Sequence, residues 1–220
     1  MKRCALFALI LLLAYSACAA PGDRSAAKFA AWDAQETSNP TPADTVLFVG
    51  SSTFTFWYSM ATAMAPFAGC NRGFGGSTMA SVLAHTNHFM RYRSTRVVVY
   101  EGDNDLRQTN TTPALLLAQC KAFVAAMNTA TTPREIYFLS VKPCPSRWLL
   151  FDKQSAANAL LRAYALRTPR LHFIDIVPAL LNDDQQPDPA LYVADMVHCN
   201  EQGYARIAPL IIHALKTCDP

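Results

Sequence analysis

Four short runs, residues 45–49, 95–100, 135–141 and 171–177, are dominated by apolar and β-branched residues and are closed by turn-forming positions such as Gly50 and Pro143. Each reads as a strand that is apolar on both sides, and a weaker strand is predicted to end near Cys70, ahead of a glycine-rich stretch. Helical spacing fills the intervals. Residues 25–35 carry Phe29 and Trp32 on one face, residues 77–90 follow a Ser/Thr cap, and residues 113–128 start from Thr112 with proline at the first helical position. Residues 152–166 and 201–215 complete the set, with Pro209 expected to kink or split the last helix because it lacks the N–H that closes a turn. Buried strands alternating with helices predict an α/β fold: a three-layer α/β/α sandwich around a mostly parallel five-stranded sheet with right-handed crossovers. Residues 185–189 read as a polar loop inside that domain.

The start of the chain follows a different pattern. Lys2 and Arg3 precede an apolar run over residues 5–14, and small residues follow as far as Pro21. This is the layout of a secretory signal peptide over residues 1–19, too short to span a bilayer core of about 30 Å. Ala17-Cys18-Ala19 suits cleavage after Ala19; Tyr15-Ser16-Ala17-Cys18 also reads as a lipobox that would make Cys18 a lipid anchor, with Tyr15 where leucine is usual. Either reading takes the protein out of the cytoplasm, to the cell envelope (periplasm) or as a secreted form. Residues 20–44 then form an N-terminal arm with a short helix, and residues 45–220 the main domain.

A chain of 220 residues, 51% hydrophobic and 16% charged, excludes a disordered protein and supports one sizeable core. Two positive charges of the formal +3 lie in the leader, so no basic stripe for nucleic acid is expected. Five of seven cysteines follow the leader: Cys70, Cys120, Cys144, Cys199 and Cys218. An odd number leaves at least one unpaired within the chain, and their pairing is open. None has metal-ligand spacing, so neither a metal nor a cofactor is expected.

Ligands of such sheets bind beyond the carboxyl ends of the strands, which directs attention to four places. Gly50-Ser51-Ser52-Thr53 presents a serine on a turn beside helix-start N–H groups suited to an oxyanion, although from this segment alone a helix N-cap is the stronger reading. Gly73-Phe74-Gly75-Gly76 lets backbone N–H groups approach a ligand; it lacks the lysine of a phosphate loop, and a plain turn is the alternative. Glu101-Gly102-Asp103-Asn104-Asp105 holds three acids without a metal-binding pattern, and Asn104 offers a neutral N–H donor. Asp195-Met196-Val197-His198 brings a carboxylate within reach of an imidazole, as a general base requires. The other histidines look structural: His85 and His88 as a surface pair, His172 on a strand, His213 near the C-terminus. Together these four places, all at one sheet edge, hold the parts of serine-based acyl transfer.

On these blocks the chain resembles the SGNH hydrolases, also called GDSL-type esterases and lipases. Ser52, Gly76, Asn104 and His198 with Asp195 match the family's four blocks in order, across residues 45–215, in the branch with a Gly-Ser-Ser block. The resemblance implies a flavodoxin-like fold, a Ser52–His198–Asp195 triad, and an oxyanion hole made by the Ser52 N–H, the Gly76 N–H and the Asn104 side chain. It departs from the family at Ser51, which stands where Asp is usual and leaves two neighbouring serines as candidate nucleophiles; the turn alignment favours Ser52. The segment Lys142-Pro143-Cys144-Pro145-Ser146-Arg147-Trp148 also looks like this branch. Lys142 and Arg147 are candidates to contact substrate, and Trp57 or Trp148 to stack on a sugar, against a plainer role as loop and core rim.

The expected activity is hydrolysis of carboxylic esters through an acyl-enzyme, short-chain acyl groups first, including acetyl esters of carbohydrates. The alternatives are a lysophospholipase or thioesterase of the same family, a non-catalytic envelope binding protein on the same fold, and a hydrolase using Cys199.

Overall fold

The computed structural model describes residues 25–128 and 134–217; the predicted leader with Cys18, and Cys218, lie outside them. Five strands, Val46–Gly50 (β1), Gly69–Gly73 (β2), Arg96–Tyr100 (β3), Glu135–Leu139 (β4) and Leu171–Ile174 (β5), form one sheet in the order β2-β1-β3-β4-β5. Every pairing is parallel, so the sheet expected to be mostly parallel is wholly so. This is the doubly wound order of flavodoxin-like folds, with its switch point between β1 and β3.

The helices are Ala26–Ser38 (α1), Ser52–Thr55 (α2), Met60–Ala63 (α3), Met79–Ala84 (α4), Thr86–Phe89 (α5), Asp103–Arg107 (α6), Pro113–Met127 (α7), Phe151–Ala165 (α8) and Glu201–Thr217 (α9). Successive strand residues point to opposite faces, and the core divides accordingly. Leu47, Val49, Val97, Val99, Ile136 and Phe138 pack with α1, α4, α5, α7 and α8. Val46, Phe48, Val98, Tyr100, Tyr137 and Leu139 pack with α2, α3 and α9 on the other side. The three layers follow from that alternation.

Differences from the sequence reading have local causes. The helix expected over residues 77–90 is capped by the Thr78 side chain and divides at His85. The Thr86 hydroxyl there donates to the Leu83 carbonyl at 2.8 Å, so a side chain competes with the helical ladder. Strand β4 ends two residues early because Asn158 takes both the N–H and the carbonyl of Val141. Strand β5 ends before Asp175, whose carboxylate accepts the Val177 N–H in a turn. Helix α9 is not split at Pro209: buried Tyr204, Ile207, Ile211 and Leu215 hold it on the sheet on both sides of that residue.

His85 and His88, expected as a surface pair, are half-buried and packed on α1. Their rings lie 4.2 and 4.7 Å from that of Phe29, and His88 Nδ1 meets Asp33 at 2.8 Å. Through this stack α1, longer than expected, is built into the core.

Candidate active site

Strand β1 delivers its last residue, Gly50, so close to Tyr100 that a Cβ there would lie 2.3 Å from the Tyr100 carbonyl oxygen. The chain turns at once into α2. Ser51 is buried, its side chain makes no capping bond, and its N–H donates to the Tyr100 carbonyl at 3.3 Å. Ser52 remains accessible at the start of α2. Burial therefore separates the two candidate serines in favour of Ser52. The turn is tied from both sides: Tyr204 Oη donates to the Thr53 carbonyl at 2.8 Å, and Asn71 Nδ2 to that of Phe54 at 2.7 Å.

His198 Nε2 lies 2.8 Å from Ser52 Oγ although the residues are 146 positions apart, and His198 Nδ1 lies 2.5 Å from Asp195 Oδ2. Asp195 Oδ1 accepts the backbone N–H groups of Val197, at 2.8 Å, and His198, at 3.0 Å, across a turn with Met196 at φ 56°. Partial burial pushes the Asp195 carboxyl up, but the His198 N–H, the imidazole and the Val197 N–H outweigh it and hold it at about 2. An ionised Asp195 fixes the proton on Nδ1 and leaves the Nε2 lone pair facing the Ser52 hydroxyl.

The other two predicted positions adjoin this pair. A Cβ on Gly75 would lie 3.8 Å from the Cβ of Ser52, so the glycine loop borders the serine. Gly76 has φ 82°, a conformation glycine adopts at no steric cost, and open space around its Cα. Asn104 Nδ2 donates to the Ser77 carbonyl at 3.0 Å, which places Asn104 against the same loop and leaves it a second N–H. These four segments form a site suited to polarising an ester carbonyl beside a base-activated hydroxyl.

The model of the GDSL-like lipase/acylhydrolase family matches residues 19–206. The chain belongs to this family. It is accordingly a serine hydrolase acting on ester bonds. Its fold is similar to those of other GDSL-like proteins at low identity. A Streptococcus pneumonia protein named for platelet activating factor superposes with a TM-score of 0.75 at 17% identity, covering 85% of this chain and 90% of its own. A GDSL-like lipase from Bacteroides thetaiotaomicron gives 0.67 at 20% identity, covering 87% and 100%. A variant of an acetyl-xylooligosaccharide esterase from Geobacillus gives 0.63 at 16% identity, covering 77% and 93%. No curated protein matches significantly.

Several other candidates take different roles in this GDSL-like chain. Lys142 is inaccessible to solvent and turns inward, donating to the Val197 carbonyl at 2.6 Å and lying 3.4 Å from Asp103 Oδ2, so it cannot meet a substrate. Burial opposes its charge, but Asp103 more than restores it. Arg147 Nη1 likewise donates to Asp103 Oδ1 at 2.8 Å. Trp57 is buried and stacked on Tyr204 at 5.0 Å, which rules it out as a sugar platform; Trp148 has one face on Phe151 at 4.3 Å.

The three acids after β3 each hold structure together. Glu101 accepts from Ser77 Oγ at 2.5 Å, Asp103 pairs with Lys142 and Arg147, and Asp105 accepts the N–H groups of Met79 and Gly102. Cys70, Cys120, Cys144 and Cys199 are free, buried thiols. Burial pushes the Cys199 thiol up to about 11, which argues against the cysteine mechanism. His172 bonds Glu135 at 2.8 Å, a structural role as expected.

The sequence reading missed a cavity of about 360 Å³ beside the imidazole, lined by Phe56, Tyr58, Val193 and Glu201. The Phe56 ring stands edge-on to His198 at 4.8 Å. The signal for it was the run Phe54–Tyr58, in which Phe54 and Trp57 are buried while Phe56 and Tyr58 are exposed.

Proposed function

We propose that this chain is a secreted or envelope-anchored serine esterase that hydrolyses short-chain carboxylic esters, acetyl esters of carbohydrates first among them. Ser52 Oγ attacks the ester carbonyl while His198 Nε2 takes its proton and Asp195 stabilises the resulting imidazolium. The carbonyl π electrons move to oxygen, and the oxyanion is held by the N–H groups of Ser52 and Gly76 and by Asn104 Nδ2. Collapse expels the alcohol, which leaves with the proton from His198. Water, deprotonated by the same imidazole, then attacks the acyl-Ser52 carbonyl; collapse breaks the bond to Ser52 Oγ, which takes the proton back from His198 as the acid leaves. No step needs a metal or a cofactor.

The observation that carries this reading is the 2.8 Å contact between Ser52 Oγ and His198 Nε2, with the ionised Asp195 on the other imidazole nitrogen. The modest cavity beside His198 suits a small group rather than a long acyl chain, near the lower end of ligand pockets at roughly 300–1,000 Å³. The Geobacillus acetyl-xylooligosaccharide esterase of similar fold supports acetylated sugar as the first substrate class to try. Lys2, Arg3 and the apolar run after them support export, by cleavage after Ala19 or with a lipid anchor at Cys18.

The test is hydrolysis of p-nitrophenyl acetate by the parent and by Ser52→Ala, together with labelling by a fluorophosphonate. The variant is expected to lose at least about 10³-fold in kcat and all labelling. A variant as fast as its parent would overturn Ser52 as nucleophile. A parent that neither turns over nor labels would favour the non-catalytic binding protein.

A further inference from the structure

We propose that Arg147 is a positioning residue that fixes the orientation of the Asn104 amide, so that its N–H₂ and not its carbonyl oxygen serves the oxyanion; this rests on the reading of Asn104 given above. Arg147 Nη1 donates to Asn104 Oδ1 at 3.4 Å, while Asn104 Nδ2 donates to the Ser77 carbonyl at 3.0 Å. The terminal torsion of an asparagine has two nearly equivalent settings half a turn apart. In the other setting both contacts reverse: the amide oxygen would oppose the Ser77 carbonyl, and the N–H₂ would oppose a guanidinium. One setting is thus favoured at both ends. A cation on Oδ1 also draws electron density from the amide nitrogen, which makes the remaining N–H a better donor.

The guanidinium is itself held in place. Arg147 Nη1 also donates to Asp103 Oδ1 at 2.8 Å and lies 3.3 Å from the Asp103 carbonyl oxygen. Asp103 Oδ2 in turn lies 3.4 Å from both Lys142 Nζ and Tyr100 Oη. Only 13% of the Arg147 side chain is exposed, so most of it points inward and away from an incoming substrate.

The segment that carries Arg147 also grips the base. Ser146 donates through its N–H to the Met196 carbonyl at 3.1 Å and through its hydroxyl to the Asp195 carbonyl at 2.8 Å, and Lys142 donates to that of Val197. One stretch after β4 therefore spans the two halves of the site, Asp103–Asn104 on one side and Asp195–His198 on the other. That connection explains why two cations in this stretch face inward.

A double-mutant cycle with p-nitrophenyl acetate tests the proposal, with kcat and KM measured separately for the parent, Arg147→Ala, Asn104→Ala and the pair. Arg147→Ala is expected to lower kcat by about 10- to 100-fold with KM within about twofold, part of the 10²–10³-fold that a lost oxyanion donor costs. In the Asn104→Ala background the same change should cost less than about threefold, because its partner is gone. Arg147→Lys, whose compact ammonium sits on a shorter stem than Nη1, should recover only part of the loss.

An equal loss in both backgrounds, a loss confined to KM, or an unchanged kcat in Arg147→Ala would overturn the positioning role. Asn104→Ala turning over as fast as the parent would instead sink the oxyanion reading on which it rests. Thermal unfolding of each variant monitors the fold; if Arg147→Ala does not fold, Arg147→Lys carries the same cycle, and equal losses in both backgrounds would again overturn the proposal.

Discussion

Lys142 Nζ, with no solvent contact, donates a 2.6 Å hydrogen bond to the carbonyl of Val197, the residue before His198, and faces Asp103 across 3.4 Å. Burying this pair is itself expensive, so its presence argues less for stability than for a fixed geometry, but removing one partner strands the other. Lys142→Met is expected to lower unfolding free energy by about 3–5 kcal/mol, read by urea denaturation, because Asp103 loses one of its two cations. Adding Asp103→Asn should return part of that loss. A drop below about 1 kcal/mol in the single variant would contradict an obligatory pair.

Two glycines of the site should respond differently to the same change. At Gly50 a methyl group would sit 2.3 Å from the backbone oxygen of Tyr100, the residue opposite it in the β1–β3 register, so relief requires moving a strand. Gly50→Ala should cost at least about 2 kcal/mol. Gly76 has open space but φ 82°, so Gly76→Ala should cost only the left-handed penalty of about 1–2 kcal/mol while disturbing an N–H proposed for the oxyanion. Thermal unfolding of the two variants side by side checks the order, and Gly76→Ala should retain the fold while losing turnover.

Cys199 adjoins His198 in sequence yet is buried, with burial holding its thiol at about 11. Scarcely any thiolate exists at neutral pH, and attack by an electrophile needs that thiolate. N-ethylmaleimide is therefore expected to leave native activity intact and to label Cys199 only after denaturation. Parallel loss of activity and of one native thiol would contradict the buried assignment.

The elements legible in the sequence are those whose physics is local. The strand cores around Val98 and Phe138, the Thr112 cap and the Asp195 turn each depend on residues within a few positions of themselves. Ser52 and His198 were legible although far apart, because each sits in its own turn at a strand or helix end, and a parallel sheet collects such ends on one edge. Lys142, Arg147 and Trp57 were not. Their partners Val197, Asp103 and Tyr204 lie on other elements, and a lone charge or indole in a loop carries no mark of where the sheet order will place it. Phe29 was legible as one face of a helix, but not its stacking on His85 or its contact with His88, which require separate helical segments to meet. Ser51 and Ser52 could be ranked only by the turn alignment; burial separates them.

Glu101 supplies a test with a definite sign. Its carboxyl is buried, Oε1 accepts from Ser77 Oγ, and Oε2 has no hydrogen-bond partner among the described residues. Burial raises it well above the ordinary carboxylate range; the Ser77 bond works against the rise, and the neighbouring charges of Asp105 and Asp103 add to it. The folded protein therefore keeps a proton that the unfolded chain releases above about pH 4.3. This contribution to stability is fully present below that pH and is lost as pH rises toward the folded value, because folding must then take up a proton. Glu101→Gln removes the proton uptake and keeps a carbonyl oxygen for Ser77. Urea midpoints of parent and variant at pH 5 and pH 8 should show the variant gaining on its parent as pH rises. A difference that stays flat across that interval would mean that Glu101 is ionised in the folded state, and the carboxyl behind the Ser77–Asn104 contact would have to be read as a charge.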